Sequence, residues 1–174
     1  MIKNQIIYTI GHSTLDYPKF IRLLTRNKIT LLVDIRSFPG SRFVPQYNKG
    51  HLSKSLLKNG IKYVWLKELG GRRYGLGKKS PNICWKNKTF RGYADYMLTR
   101  EFKNAIKKLL TLSTGENSAI LCAEALYWRC HRNLVSDYLK SKGIKVIHIM
   151  SNNKNVPHKY TECARLRNGV LSYF

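Results

Sequence analysis

The sequence predicts an α/β domain, a mostly parallel sheet with helices on both faces. Three observations carry this. The apolar runs are short and rich in β-branched residues, as in QIIYTI (5–10), TLLVDI (30–35) and KVIHIM (145–150), which is how strands covered on both faces read. Segments of helical spacing lie between them, so strand and helix alternate along the chain. At 174 residues the chain has the size of one domain and can bury a substantial core. We therefore expect a single domain over 1–174, with about five strands joined by right-handed crossovers.

Each element has its own signal. QIIYTI is the first strand. LDYPKFIRLLTRN (15–27) reads as a helix: Asp16 is placed to cap it, Pro18 is tolerated in the first turn, and Phe20, Leu23 and Leu24 share a face. TLLVDI is the second strand. GHLSKSLLKNG (50–60) carries Leu52, Leu56 and Leu57 on one stripe and ends at Gly60, a residue suited to a helix stop. IKYVWL (61–66) is the third strand. Residues 90–112 give the longest helical pattern, with Tyr93, Met97, Ile106, Leu109 and Leu110 inward. SAILC (118–122) is a strand, RNLVSDYLKSK (132–142) a helix ended by Gly143, and KVIHIM the last strand. Residues 151–174 are polar and basic, with a short helix expected at 161–167.

Charge narrows the partners. Lys and Arg number 32 against 9 Asp and Glu, a net charge of +23, and such a surface attracts polyanions. Nucleic acid is the partner expected first, because 11 Tyr and 3 Trp supply stacking surfaces beside the cations. The irregular insertion 70–92 holds seven Lys and Arg and no acid. Loops of this length are usually functional. Arg72, Arg73, Tyr74, Lys78, Lys79 and Trp85 are its expected nucleic-acid contacts, on a mobile flap that grips a strand. No secretory signal and no membrane-length apolar run is visible, so a cytoplasmic protein without membrane contact is expected. The four cysteines show no paired short spacing, so free thiols are expected in a reducing compartment.

Ligands of open α/β sheets bind at the carboxyl ends of the strands. Here those ends carry the chemistry. Strand one runs into Gly11-His12-Ser13. Strand two runs into Asp34, Arg36, Ser41 and Arg42. Strand three runs into Gly70-Gly71. Strand four runs into Cys122, Glu124 and then Arg129, Cys130, His131 and Arg132.

These segments also carry a resemblance. TIGHST, LLVDIRSFPGSR, GIKYVWLKELGG, YADYM, LCAE followed by CHR, and VIHI are similar, in this order, to the DUF488 family of prokaryotic proteins. The likeness runs from Thr9 to about Arg165. It implies a Rossmann-like α/β fold and no assigned reaction. It also carries over onto His12, Asp34, Arg36, Ser41, Arg42, Gly70, Gly71, Cys122, Glu124, Cys130, His131 and Arg132.

From the residues, the leading expectation is an enzyme acting on nucleic acid or a nucleotide-like anionic substrate. Glu124 and Asp34 would supply acid–base or nucleophilic carboxylates, and His12 would shuttle a proton. Ser13, Arg36, Ser41, Arg42, Arg129, His131 and Arg132 would hold the anion, helped by a helix N-terminus. Asp34 and Arg36, two apart on a strand, equally suit a bracing ion pair, and Cys122 suits a buried small hydrophobe. One alternative is a non-catalytic nucleic-acid-binding module. Another is a thiol enzyme using Cys130, stabilised as thiolate beside a helix start, with His12 as its base. The spacing C-x7-C-H is no zinc knuckle, so no metal site is expected, and no cofactor is assigned; GHS after strand one is no dinucleotide fingerprint.

Overall fold

Side-chain alternation along the strands divides the core in two. The computed structural model describes residues 5–174. Its main sheet holds β1 (Ile6–Gly11), β2 (Leu31–Asp34), β3 (Lys62–Trp65), β4 (Ser118–Cys122), β5 (Lys145–Ile149) and β6 (Asn155–Pro157) in the order β3-β2-β4-β1-β5-β6. The first five are mutually parallel, and β6 runs antiparallel along β5. Ile10, Leu32 and Leu121 face α1 (Tyr17–Arg26) and α2 (Lys49–Lys58), meeting Phe20, Leu23, Leu24, Leu52 and Leu56. On the other face Ile7, Val33 and Ile120 meet α3 (Lys88–Tyr96), α4 (Arg100–Leu112) and α5 (Arg132–Ser141) through Tyr93, Phe102, Ile106, Leu134 and Val135. The chain is a single α/β domain, its mixed, mostly parallel sheet flanked by helices on both faces in a Rossmann-like arrangement. Each fully buried aliphatic side chain contributes about 1.5–3 kcal/mol.

Three expectations are corrected. The helical pattern of 90–112 is two helices, α3 and α4. Thr99 breaks it: the Thr99 hydroxyl accepts the Phe102 amide at 3.2 Å and caps α4, an alternative that the backbone takes over continuous helix. No helix forms at 161–167. Ala164–Arg167 (β7) pairs with Val170–Tyr173 (β8) as an antiparallel hairpin. Asn168 and Gly169 make its turn, both at positive φ (48° and 74°), as a two-residue Asn-Gly hairpin requires.

The third correction concerns the cysteines. Cys84 and Cys163 form a disulfide, with Cα atoms 6.3 Å apart across 79 residues of sequence; only Cys122 and Cys130 are free. The bridge ties the 70–92 segment to β7–β8. Asp95 adds to it: its carboxylate accepts the Leu76 amide, the Ser80 hydroxyl and the Asn82 side-chain amide. The Asn82 side-chain Oδ1 in turn accepts the Tyr173 amide. A bridge closing a loop of this length restricts the denatured chain by about 4 kcal/mol. Reduction, or Cys84→Ser, is expected to lower stability by that order, read as a lower urea midpoint. Equal midpoints in the two redox states would refute the bridge.

No helix is long and apolar enough to cross a membrane, among the described residues.

Candidate functional site

Where β2 ends, its side chains turn inward. Asp34 is fully buried. Its Oδ1 accepts the Arg36 amide at 3.0 Å and the Arg36 Nε at 2.9 Å, and its Oδ2 accepts Arg36 Nη2 and the Tyr63 hydroxyl. Arg36 Nη2 also donates to the Tyr47 carbonyl. Its Nη1 lies 3.1 Å from His12 Nε2. The other His12 nitrogen, Nδ1, lies 2.8 Å from the Ser13 carbonyl, so Nδ1 carries the proton and Nε2 accepts from Arg36. The His12 ring stacks on Tyr47 at 4.1 Å. Burial, then the nearby Arg36 charge, lowers its pKa to about 4 against the pull of the Ser13 bond. The structure thus places Asp34, Arg36 and His12 in one bracing lattice. Asp34 and Glu124 make no carboxylate pair in hydrogen-bond contact.

The end of β1 is filled as tightly. The amides of His12 and Ser13 donate to the Cys122 and Ala123 carbonyls, which leaves the GHS turn no free amide at Ser13 for an anion. Gly11 is required here: a Cβ would overlap the Glu124 carbonyl and approach Arg132 Nη2. Arg132 is 1% exposed. Its Nη2 donates to the carbonyls of Glu124 and Ala125, and its Nη1 reaches Thr9 Oγ1 at 3.5 Å. It props the 123–125 loop from below. Ser41 accepts the Phe43 and Val44 amides through its hydroxyl, and Arg42 is exposed beside it.

Behind this junction runs a buried relay. Thr9 Oγ1 meets His148 Nδ1 at 2.8 Å, His148 Nε2 meets His158 Nδ1 at 2.9 Å, and His158 Nε2 meets Asp137 Oδ1 at 2.9 Å. Thr161 and Tyr173 also donate to Asp137. Tyr127 lies flat on His148 with ring centres 3.5 Å apart, which fixes the 127–129 turn. Burial, His158 and Arg132 lower the His148 pKa to about 2.

Beside the bracing lattice lies a cleft of about 560 Å³. Cys122, Cys130 and His131 lie at its inner end. Arg72 and Arg129 supply exposed cations, beside Arg36, whose guanidinium Asp34 already holds; Phe38 and Phe90 supply aromatic faces over the buried Tyr93, and Glu124 is its one acid. Glu124 is exposed and takes part in no ion pair among the described residues. His131 Nε2 lies 3.1 Å from the Ile35 carbonyl, so Nε2 carries a proton and Nδ1 faces the sulfurs, 3.8 Å from Cys122 and 3.6 Å from Cys130. Hydrogen bonding to the Cys130 sulfur, then burial, pushes the Cys122 thiol up. At Cys130 burial also opposes charge, but the Cys122 donor, His131 and Arg132 outweigh it and hold that thiol well below its ordinary value.

The 70–92 segment divides. Arg73 lies over the Tyr96 ring at 4.0 Å and donates to the Glu68 carbonyl. Trp85 stacks on Phe90 at 4.9 Å and packs on the core. Both are held in place. Arg72, Tyr74, Lys78 and Lys79 are exposed. From the sequence Cys122 reads as a buried small hydrophobe and Tyr93 as a core residue, and neither Asn87 nor Thr89 is named; all four line the cleft. Only Cys122 carried a signal, its place at the carboxyl end of β4.

The family model described as "Domain of unknown function DUF488" matches residues 16–139. The chain belongs to the DUF488 family. That stretch runs from the cap of α1 into α5, so the DUF488 match contains every residue of the cleft. His12, Ser13, His148 and His158 lie outside it. No curated protein and no solved structure matches the chain.

Proposed function

We propose that the cleft is the active site of an enzyme acting on a nucleotide-like anionic substrate or a nucleic acid, by hydrolysis or transfer at a glycosidic or phosphoryl centre. One observation carries the reading: a single carboxylate, Glu124, faces a space whose exposed cations are Arg72 and Arg129. Guanidiniums recognise phosphate as charged forks. Phe38 and Phe90 offer faces for a base. The volume is that of a small-molecule site. Glu124, without an ion-pair partner, is available to move a proton. The net charge of +23 steers such substrates inward.

Glu124→Gln is the test. Turnover of nucleotides or oligonucleotides is expected to fall about 10²–10⁴-fold, while nucleotide affinity, read by calorimetry, changes little. Arg129→Ala is expected to weaken binding and flatten its salt dependence. Salt-dependent oligonucleotide binding without turnover, unchanged by either substitution, would replace this reading with a non-catalytic binding protein.

A further inference from the structure

The proposed acid–base and anion-holding roles leave the inner end of the cleft without a purpose. Two sulfurs and an imidazole nitrogen meet there, from a strand end (Cys122) and from the start of α5 (Cys130, His131). Their donor atoms all lie within 4.8 Å of one another. We propose that Cys122 Sγ, Cys130 Sγ and His131 Nδ1 bind one zinc ion, with the fourth ligand position open to the cleft.

Geometry is the first support. Tetrahedral zinc, with Zn–S of about 2.3 Å and Zn–N of about 2.0 Å, sets sulfur and nitrogen ligands about 3.6 Å apart. The two sulfur–nitrogen separations here are 3.6 and 3.8 Å. Orientation is the second. A ligating histidine usually donates its other ring N–H to a backbone carbonyl or carboxylate, and His131 Nε2 lies at the Ile35 carbonyl. The Arg132 amide reaches Cys130 Sγ at 3.5 Å, an outer contact of the same kind. Packing is the third. A Cβ on residue 71 would stand over the His131 ring, 2.5 Å from Nδ1 and 2.8 Å from Cγ, so the glycine there lets the imidazole take this orientation. Chemistry is the fourth. Two thiols and an imidazole form a soft donor set that suits zinc and leaves calcium and magnesium aside.

Cys84 and Cys163 are bonded to each other, whereas Cys122 and Cys130 are free and both sulfurs face His131 Nδ1. Three protein ligands and one open position are the pattern of catalytic zinc. Its use in catalysis rests on the reading of the cleft as an active site. Zinc held there would supply a Lewis acid at the inner end of the cleft, and Glu124, which lines the same cleft, would take up and return the proton of the reaction. The binding itself rests on the three donors alone.

The test uses the full chain and the metal alone. Zinc is expected to bind at one ion per chain, and cobalt(II) to add thiolate-to-metal charge transfer with tetrahedral visible bands. Cys130→Ser and His131→Asn are expected to weaken binding by more than about 100-fold, beyond the 10–100-fold typical of an outer partner; Cys84→Ser is expected to keep it. Because His131 also braces the Ile35 carbonyl, a measurement on the unaltered protein stands beside the variants: saturating zinc is expected to slow alkylation of Cys122 and Cys130 at least tenfold. No stoichiometric zinc, cobalt spectra without sulfur bands, or alkylation indifferent to zinc would each overturn the site. If zinc binds and no anionic substrate turns over, the proposed function falls and the metal site stands. If turnover depends on Glu124 and Cys130 while no metal binds, the zinc site falls alone and Cys130 becomes a thiol nucleophile.

Discussion

Between pH 6.5 and pH 4 the protein is expected to lose about 6 kcal/mol of stability. The source is His12 and His148, held neutral by burial with pKa values lowered to about 4 and about 2. In the unfolded chain both protonate near 6.5. Above that value both states are neutral, and the native state carries no penalty. As pH falls below it, the unfolded chain takes up two protons that the native state refuses, and stability drops by about 1.4 kcal/mol per proton per pH unit. The loss from His12 ends near pH 4, where its folded form also protonates. The loss from His148 continues to lower pH. The contacts give each lowering its cause: His12 lies between Arg36 and the Ser13 carbonyl, and His148 between Thr9, His158 and the face of Tyr127. Denaturant unfolding at stepped pH checks this. A slope near two protons over pH 6–4.5 is expected, falling to near one in His12→Asn. Stability independent of pH across that window would contradict the neutral, buried histidines.

Asp34→Ala is expected to cost about 3–5 kcal/mol, because it leaves the buried Arg36 guanidinium without its counter-charge. Arg36 is only 6% exposed, and its remaining partners, His12 and the Tyr47 carbonyl, carry no full negative charge. Tyr63 loses its acceptor as well. Urea unfolding measures the cost, and a double-mutant cycle with Arg36→Met separates the pair from its surroundings. The same variant discriminates brace from catalyst. A bracing Asp34 loses stability, and Asp34→Asn loses it in step with activity. A catalytic carboxylate would let Asp34→Asn abolish turnover at unchanged stability. A cost below about 1 kcal/mol would remove the brace.

Much of the fold was legible because hydrophobic period reports burial directly. The β-branched runs at 5–10, 30–35, 118–122 and 145–150 became β1, β2, β4 and β5, and Phe20, Leu23 and Leu24 became the inner face of α1. The misreadings have local causes. A threonine hydroxyl that caps α4 is invisible to an apolar-period argument over 90–112. The Asn168-Gly169 turn was a hairpin signal overlooked in a basic stretch. The site was harder because proximity of polar groups does not say which way they turn. Asp34, His12 and Arg132 sit at the expected strand ends, yet each is consumed by a neighbour: Arg36, Ser13 or the Glu124 carbonyl. Cys122 reads as one more apolar strand residue until His131 is folded against it. Sequence adjacency also misled at Cys130 and His131. Neighbours on an ideal helix point apart, but the turn preceding α5 lets both reach one point.

β1 has no strand partner among the next two strands of the chain. Its neighbours are β4 and β5, so Ile7 pairs with Ser118 and Val146. β4 wedges between β1 and β2, and its loop supplies the Cys122 and Ala123 carbonyls that fix the His12–Ser13 turn. A ribosome delivering this chain therefore exposes two orphan strand edges for most of translation. Closing contacts so distant in sequence is slow, and unpaired edges invite association with other nascent chains. Assembly of the cleft is a late event, so substitutions that slow docking of β4 reduce the yield of protein before they alter its activity.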